Sequence, residues 1–142
     1  MMLKGISPVV SPELLKVLAK MGHGDEISIV DGNYPAESVG PKVIRADGLG
    51  VPAILEAIVA LLPIDNFVDE NIFYMDNSEK EKPAIWQEFD QILKDSGEDC
   101  RIKHLERFDY YDRAAKSVAI VATSETALYA NVILKKGVIF PK

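Results

Sequence analysis

Gly22-His23-Gly24-Asp25-Glu26, then Ile27-Ser28-Ile29-Val30, then Asp31-Gly32-Asn33 is the stretch on which the fold turns. Ile27 to Val30 is short, apolar and rich in β-branched residues, the pattern of a strand covered on both faces. Asp31-Gly32-Asn33 supplies turn-forming residues that close it. Such a strand needs helices as cover, and the flanking sequence supplies them. Upstream, Ser11-Pro12-Glu13 combines a Ser cap, a Pro at the first helical position and an acid in the first turn. Leu14, Leu15, Val17, Leu18 and Met21 then recur at helical spacing, and Gly22 is expected to end the helix in a left-handed turn.

Downstream, residues 34–50 are expected to be irregular except for a brief strand at Val43-Ile44, because Pro35, Gly40, Pro41, Gly48 and Gly50 punctuate them. Helices are expected over 52–62, stopped by Pro63, and over 83–93, opened by Pro83 with Ile85, Trp86, Phe89, Ile92 and Leu93 as its buried stripe. Residues 67–75, 102–108, 118–122 and 128–134 read as extended, and 110–116 as a short helix. Helices alternating with buried strands predict an α/β fold, a single layered domain over residues 1–142 with a central sheet flanked by helices.

Composition narrows the function. Sixteen Lys plus Arg against 22 Asp plus Glu give a net charge of -6, with the cations dispersed, which argues against a nucleic-acid partner. The longest apolar run, Ile58 to Ile64, is too short to span a bilayer, and the start of the chain lacks the apolar core of a signal peptide. A single cysteine, Cys100, forms no intrachain disulfide and reads as a buried bystander; the expected setting is the cytoplasm. Two histidines and one cysteine without close spacing predict no metal site, and Gly22-His23-Gly24 and Gly48-Leu49-Gly50 lack the lysine of a phosphate loop. No cofactor is expected. The 48% apolar content is high for so acidic a chain and is compatible with surface shared between subunits or with an efficient core.

Three polar clusters remain. His23, flanked by two glycines, has an unshielded ring able to give or take a proton at neutral pH, or is simply a polar turn residue. Asp31 follows a strand at the end where open α/β sheets bind ligands, though Asp-Gly is also an ordinary turn pair. Arg107 and Tyr111 are four residues apart and can meet on one helical turn. Tyr129 and Asn131 are two apart and, on a strand, would face one space; a phenol and an amide suit sugar hydroxyls, while a packed edge is the structural alternative. Asp47 and His104 carry less support, and His104 reads as a structural or surface residue.

In order along the chain, Leu3-Lys4-Gly5-Ile6-Ser7-Pro8, Ser11-Pro12-Glu13-Leu14-Leu15, Gly22-His23-Gly24-Asp25-Glu26, Asn33-Tyr34-Pro35-Ala36, Arg45-Ala46-Asp47-Gly48, Arg107-Phe108 with Tyr111, Tyr129-Ala130-Asn131 and Leu134-Lys135-Lys136-Gly137 resemble the RbsD/FucU family of sugar mutarotases and pyranases, and within it the L-fucose branch. The resemblance covers nearly the whole chain and implies a cofactor-independent isomerase acting on a free monosaccharide. It implies His23 as the acid–base group, Asp31, Tyr129 and Asn131 as sugar-binding residues, and Arg107 with Tyr111 lining the pocket, Tyr111 assisting the second proton transfer. Ala130 stands where the family often has Gly, and Asp31-Gly32 where Asp-Ala is often seen. L-fucose is the implied sugar; D-ribose pyranase activity and a non-catalytic sugar-binding module are the alternatives. The resemblance further implies a homodecamer of two five-membered rings, with His23 and Asp31 of one subunit meeting Tyr129 and Asn131 of a neighbour.

Overall fold

Ser11 accepts a hydrogen bond from the Leu14 amide at 3.1 Å and so caps α1 (Pro12–Lys20), as its sequence predicts. The helix ends differently from the expectation. Met21 leaves it with extended backbone, and Gly24, at φ 89°, takes the left-handed position assigned to Gly22. The reason is local: Asp25 Oδ2 accepts from the Gly22 amide at 2.8 Å, and the Gly24 amide donates to the Lys136 carbonyl at 2.8 Å, so the turn closes around His23.

The structure, a computed structural model describing residues 1–142, continues through β1 (Glu26–Val30), α2 (Ala36–Val39), β2 (Lys42–Ala46), α3 (Val51–Val59), β3 (Ile72–Met75), α4 (Ile85–Asp95), β4 (Ile102–Leu105), α5 (Arg107–Ala114), β5 (Ala119–Thr123) and β6 (Val132–Lys135). The strands form one sheet in the order β2-β5-β1-β6-β3-β4. β1 runs parallel to β5, β5 to β2 and β3 to β4, whereas β6 is antiparallel to both β1 and β3. Five strands therefore point one way, with β6 reversed between them.

Side chains alternate across this sheet with the period of two that a strand imposes. Ile27, Ile29, Ala119, Val121, Val132 and Leu134 join the larger core with α1, α3 and α4. Val30, Ile120, Ala122, Ile133 and Phe73 face the smaller one with α2 and α5. This is the expected α/β layering.

Beyond shifts of a few residues in α3, α4 and β5, four segments differ from the expectation. Residues 34–50 contain α2 and a five-residue β2; as an edge strand β2 buries only Ile44 fully, which hides its alternation. The run 67–75 shortens to β3 because Asn71 donates its side-chain amide to the Asp65 and Asp99 carbonyls and bends the chain there. β4 stops at Leu105 because Glu106 accepts from the Phe108 and Asp109 amides at 2.9 and 3.2 Å, starting α5 at Arg107. β6 begins only at Val132: Tyr129 lies in a turn at φ 56°, so Tyr129 and Asn131 do not share a strand face.

Candidate active site

Because five strands share a direction, their carboxyl ends lie together, and the loops beyond them meet there. Asp31 follows β1, Met75 ends β3, Arg107 and Tyr111 open α5 just after β4, and the turn before the reversed β6 brings Leu128, Tyr129 and Asn131. These residues, with Asn33 and Tyr34, line one cavity of about 240 Å³. Buried Asp31 and Asn131 form its floor, and exposed Arg107 and Leu128 its rim.

The floor is tightly tied. Asn131 Oδ1 accepts from the Asp31 backbone amide at 2.9 Å, and Asn131 Nδ2 donates to Asp31 Oδ2 at 3.2 Å. The Asn33 amide donates to Asp31 Oδ1 at 3.0 Å. Burial raises the Asp31 carboxyl above the ordinary carboxylate value, outweighing the hydrogen bonds that favour its charge.

On α5, Arg107 Nε donates to the Tyr111 hydroxyl at 3.1 Å, the one-turn meeting that the spacing allows. The guanidinium also stands 5.4 Å from the Tyr111 ring centre. With its oxygen accepting from Arg107, Tyr111 keeps its own O–H free to donate into the cavity. Tyr34 packs edge-on to Tyr111 at 5.2 Å and to buried Tyr110 at 5.9 Å, completing an aromatic corner.

His23 is elsewhere. It lies on the turn before β1, whereas Asp31 lies after it, and a five-residue strand spans about 15 Å. Its companions are Asp65 and Phe67: His23 Nε2 stands 3.0 Å from Asp65 Oδ1, and the imidazole and Phe67 rings are 5.2 Å apart. Burial pushes the Asp65 carboxyl up, but hydrogen bonds from His23 and from the Phe67 amide (3.1 Å) outweigh it, holding the acid below its ordinary range. An ionised carboxylate only accepts, so Nε2 carries the proton of the neutral imidazole and Nδ1 is the nitrogen left to act as a base. His23 is 44% exposed at its side chain, and Phe67 and Phe140 extend an exposed aromatic surface beside it.

The expected division of residues is thus corrected. Within one chain Asp31 hydrogen-bonds directly to Asn131 and shares its cavity with Tyr129, and His23 is the residue that stands apart. Asp65, Tyr34, Met75 and Leu128 were not foreseen; Asp65-Asn66 after Pro63 reads as an ordinary turn, and only the fold carries it to His23.

The other singled-out residues take structural places. Asp47 pairs with Arg45 at 2.7 Å on the surface. His104 stacks on Trp86 at 4.8 Å. The Cys100 thiol is half-buried and burial pushes it up to about 11, which keeps it a poor nucleophile. No group of three or more His, Cys, Asp or Glu side chains is placed to hold a metal ion, and no helix is long and apolar enough to cross a membrane.

The chain is similar to fucose mutarotases and, at lower identity, to RbsD. Human fucose mutarotase is 49% identical over 145 residues, covering 96% of this chain and 94% of its own. The L-fucose mutarotase of Actinobacillus pleuropneumoniae (serotype 5b, strain L20) is 46% identical, covering 96% and 97%. Among solved structures, the fucose mutarotase of Streptococcus pneumoniae in complex with L-fucose superposes with a TM-score of 0.93 at 47% identity, over 97% of this chain and 100% of that one. Bacillus subtilis RbsD complexed with D-ribose superposes at 0.76 and 25% identity, over 99% and 100%. The RbsD / FucU transport protein family profile matches residues 4–139. On this match and on relatives nearly half identical from end to end, the chain belongs to the RbsD / FucU family.

Proposed function

We propose that the protein is an L-fucose mutarotase, a cofactor-independent enzyme that interconverts the α and β anomers of the free sugar by opening and reclosing its ring. The observation that carries this reading is the cavity at the strand ends, where a carboxylate, two amides, a guanidinium and three phenols converge. Its 240 Å³ is below the roughly 300–1,000 Å³ of drug-sized sites and suits one monosaccharide. Asp31, Asn131 and the Tyr129 hydroxyl exchange hydrogen bonds with sugar hydroxyls, Tyr111 covers apolar ring carbons, and Arg107 binds hydroxyls at the rim.

Anomer exchange needs one proton removed from the anomeric hydroxyl and one delivered to the ring oxygen. His23 takes the first on Nδ1, because Asp65 holds the other nitrogen protonated. Tyr111 delivers the second, directly or through water, while Arg107 stabilises the phenolate it becomes. The bond from the anomeric carbon to the ring oxygen breaks, the aldehyde rotates, and closure on its other face returns both protons. No proton is consumed. General acid–base help of this kind contributes about 10²–10⁴ in rate.

His23 and Asp31 sit at opposite ends of β1, so in this mechanism the base comes from a second copy of the chain, seated with its exposed His23 over the cavity. A ring-like decamer, as the family resemblance implies, supplies such neighbours. Saturation-transfer NMR on the purified protein with L-fucose and D-ribose tests the reaction and the sugar. Catalysed exchange of L-fucose anomers, with weaker pyranose–furanose exchange of D-ribose, is expected; exchange at the buffer rate despite saturable binding would make the protein a binding module. Mixing tests the assembly. A His23→Ala protein and an Asn131→Ala protein, unfolded and refolded together, place both intact halves at about one site in four, so activity should return to roughly a quarter of wild type. Verified mixed oligomers without recovery would reject the shared site.

A further inference from the structure

Tyr129 is one of two non-glycine residues with positive φ, and the only one of these in the cavity. A left-handed tyrosine is strained and persists only where its surroundings hold it. What holds this one is visible. The indole N–H of Trp86 donates to the Tyr129 carbonyl at 2.9 Å. Trp86 is itself fixed: it is 6% exposed on α4, packs against the Tyr74 ring at 5.7 Å, and carries His104 stacked on its other contact at 4.8 Å. Tyr74 in turn donates its hydroxyl to Asp90 of α4 at 2.8 Å. The turn is anchored at its beginning as well, where Glu125 accepts from the Val51 and Ala127 amides at 3.2 and 3.1 Å. Trp86 holds the other end.

We propose that Trp86 is a positioning residue for Tyr129: its indole N–H locks the strained backbone of the turn and so aims the Tyr129 phenol into the sugar cavity. Trp86 does not touch the sugar. Its effect passes through one hydrogen bond, and the inference rests on Tyr129 being a sugar-binding residue as proposed above. A lost hydrogen bond at this place lets the turn relax toward ordinary backbone angles, moving the phenol and leaving the core unchanged.

Trp86→Phe would test this poorly, because the smaller ring opens a cavity beside Tyr74 and weakens the fold for unrelated reasons. Trp86 is the chain's one tryptophan, so growth on β-(3-benzothienyl)alanine replaces that indole alone, exchanging its N–H for sulfur at nearly unchanged shape. The replacement is made in the wild-type protein and in Tyr129→Phe, and kcat/KM for L-fucose exchange and the thermal midpoint are measured for all four proteins. In the wild-type background kcat/KM should fall about three- to ten-fold, the size of one hydrogen bond, with the midpoint little changed. In the Tyr129→Phe background the same replacement should cost less than two-fold, because the hydroxyl being aimed is gone. Equal losses in both backgrounds, or no loss in the wild type while Tyr129→Phe is impaired, would overturn the role of Trp86 and leave the site reading standing. Tyr129→Phe exchanging at the wild-type rate would instead remove the Tyr129 hydroxyl from the site, and the role of Trp86 with it.

Discussion

The two ends of β1 hold the two carboxylates that matter, and they are built in opposite ways. At the amino end, Asp65 is held ionised by hydrogen bonds from His23 and a backbone amide, beside an exposed imidazole. At the carboxyl end, Asp31 is buried on the floor of a cavity, where desolvation raises its carboxyl despite four hydrogen-bonding neighbours. The first arrangement suits the proposed base by fixing its tautomer; the second leaves a desolvated acceptor that the hydrogen bond of a sugar hydroxyl would compensate. In the proposed mechanism one end moves protons and the other holds the ligand, and each needs the other.

The sharpest way to break this contrast is to remove the base. His23→Ala should lose about 10²–10⁴ of the catalysed exchange rate while sugar affinity and fold stay near wild type; magnetisation transfer at wild-type speed would dismiss His23. Asn131→Ala attacks the other end. It strips both hydrogen bonds from Asp31, so sugar affinity in an NMR titration should weaken tenfold or more, and unfolding in urea should show a loss of about 1–3 kcal/mol for the orphaned buried amide. Asp65→Asn should lower the exchange rate about tenfold without changing affinity, since an amide no longer dictates which imidazole nitrogen bears the proton. An affinity loss there would mean that Asp65 also holds sugar.

Acid separates the two carboxylates further. Asp31 titrates above an ordinary 3.8, so its protonated form is favoured by folding: stability rises as pH falls through its folded value and levels off below 3.8. Asp65 titrates below 3.8, and its contribution, present above that value, is lost only as pH falls through its lower folded one. Acidification toward 3.8 should therefore weaken sugar binding before it removes the Asp65 contribution to stability. Sugar titrations across pH in wild type and Asp31→Asn check this; the variant should lack the acid-side loss of affinity. The smallest effect expected is in sugar choice. Arg107→Leu should narrow the preference for L-fucose over D-ribose by a few-fold, within the range one pocket contact commands.

Much of this was legible in the residues. Ser11-Pro12-Glu13 started a helix where it said it would, because a cap and its acceptor geometry are local matters. Ile27–Val30 and Val118–Ala122 announced buried strands through continuous apolar runs. Asp31 at a strand end and Arg107 four residues before Tyr111 also follow from local periods. What failed depended on partners far along the chain. Tyr129 and Asn131 looked like alternate residues of one strand, but Trp86, 43 residues away, holds Tyr129 in a turn. Asp65 is 42 residues from His23, and nothing nearby marks an ordinary Asp-Asn pair as the companion of an imidazole. Likewise, the side of a strand on which His23 and Asp31 fall is readable, yet the return path of β6, which assigns Asn131 to Asp31, is set by sheet topology.

That return path has a consequence for biosynthesis. β6 follows the other five strands in sequence and is the only join between β2-β5-β1 on one side and β3-β4 on the other. Until residues 132–135 emerge from the ribosome, the nascent chain holds two separate sheet fragments, each with an open hydrogen-bonding edge of buried-type residues. Closing the core must then wait until residues 132–135 have been made, and the pairing that closes it spans more than a hundred residues between β1 and β6. In the interval those unpaired edges invite association with other chains, so the protein leans on rapid insertion of one four-residue strand to escape aggregation.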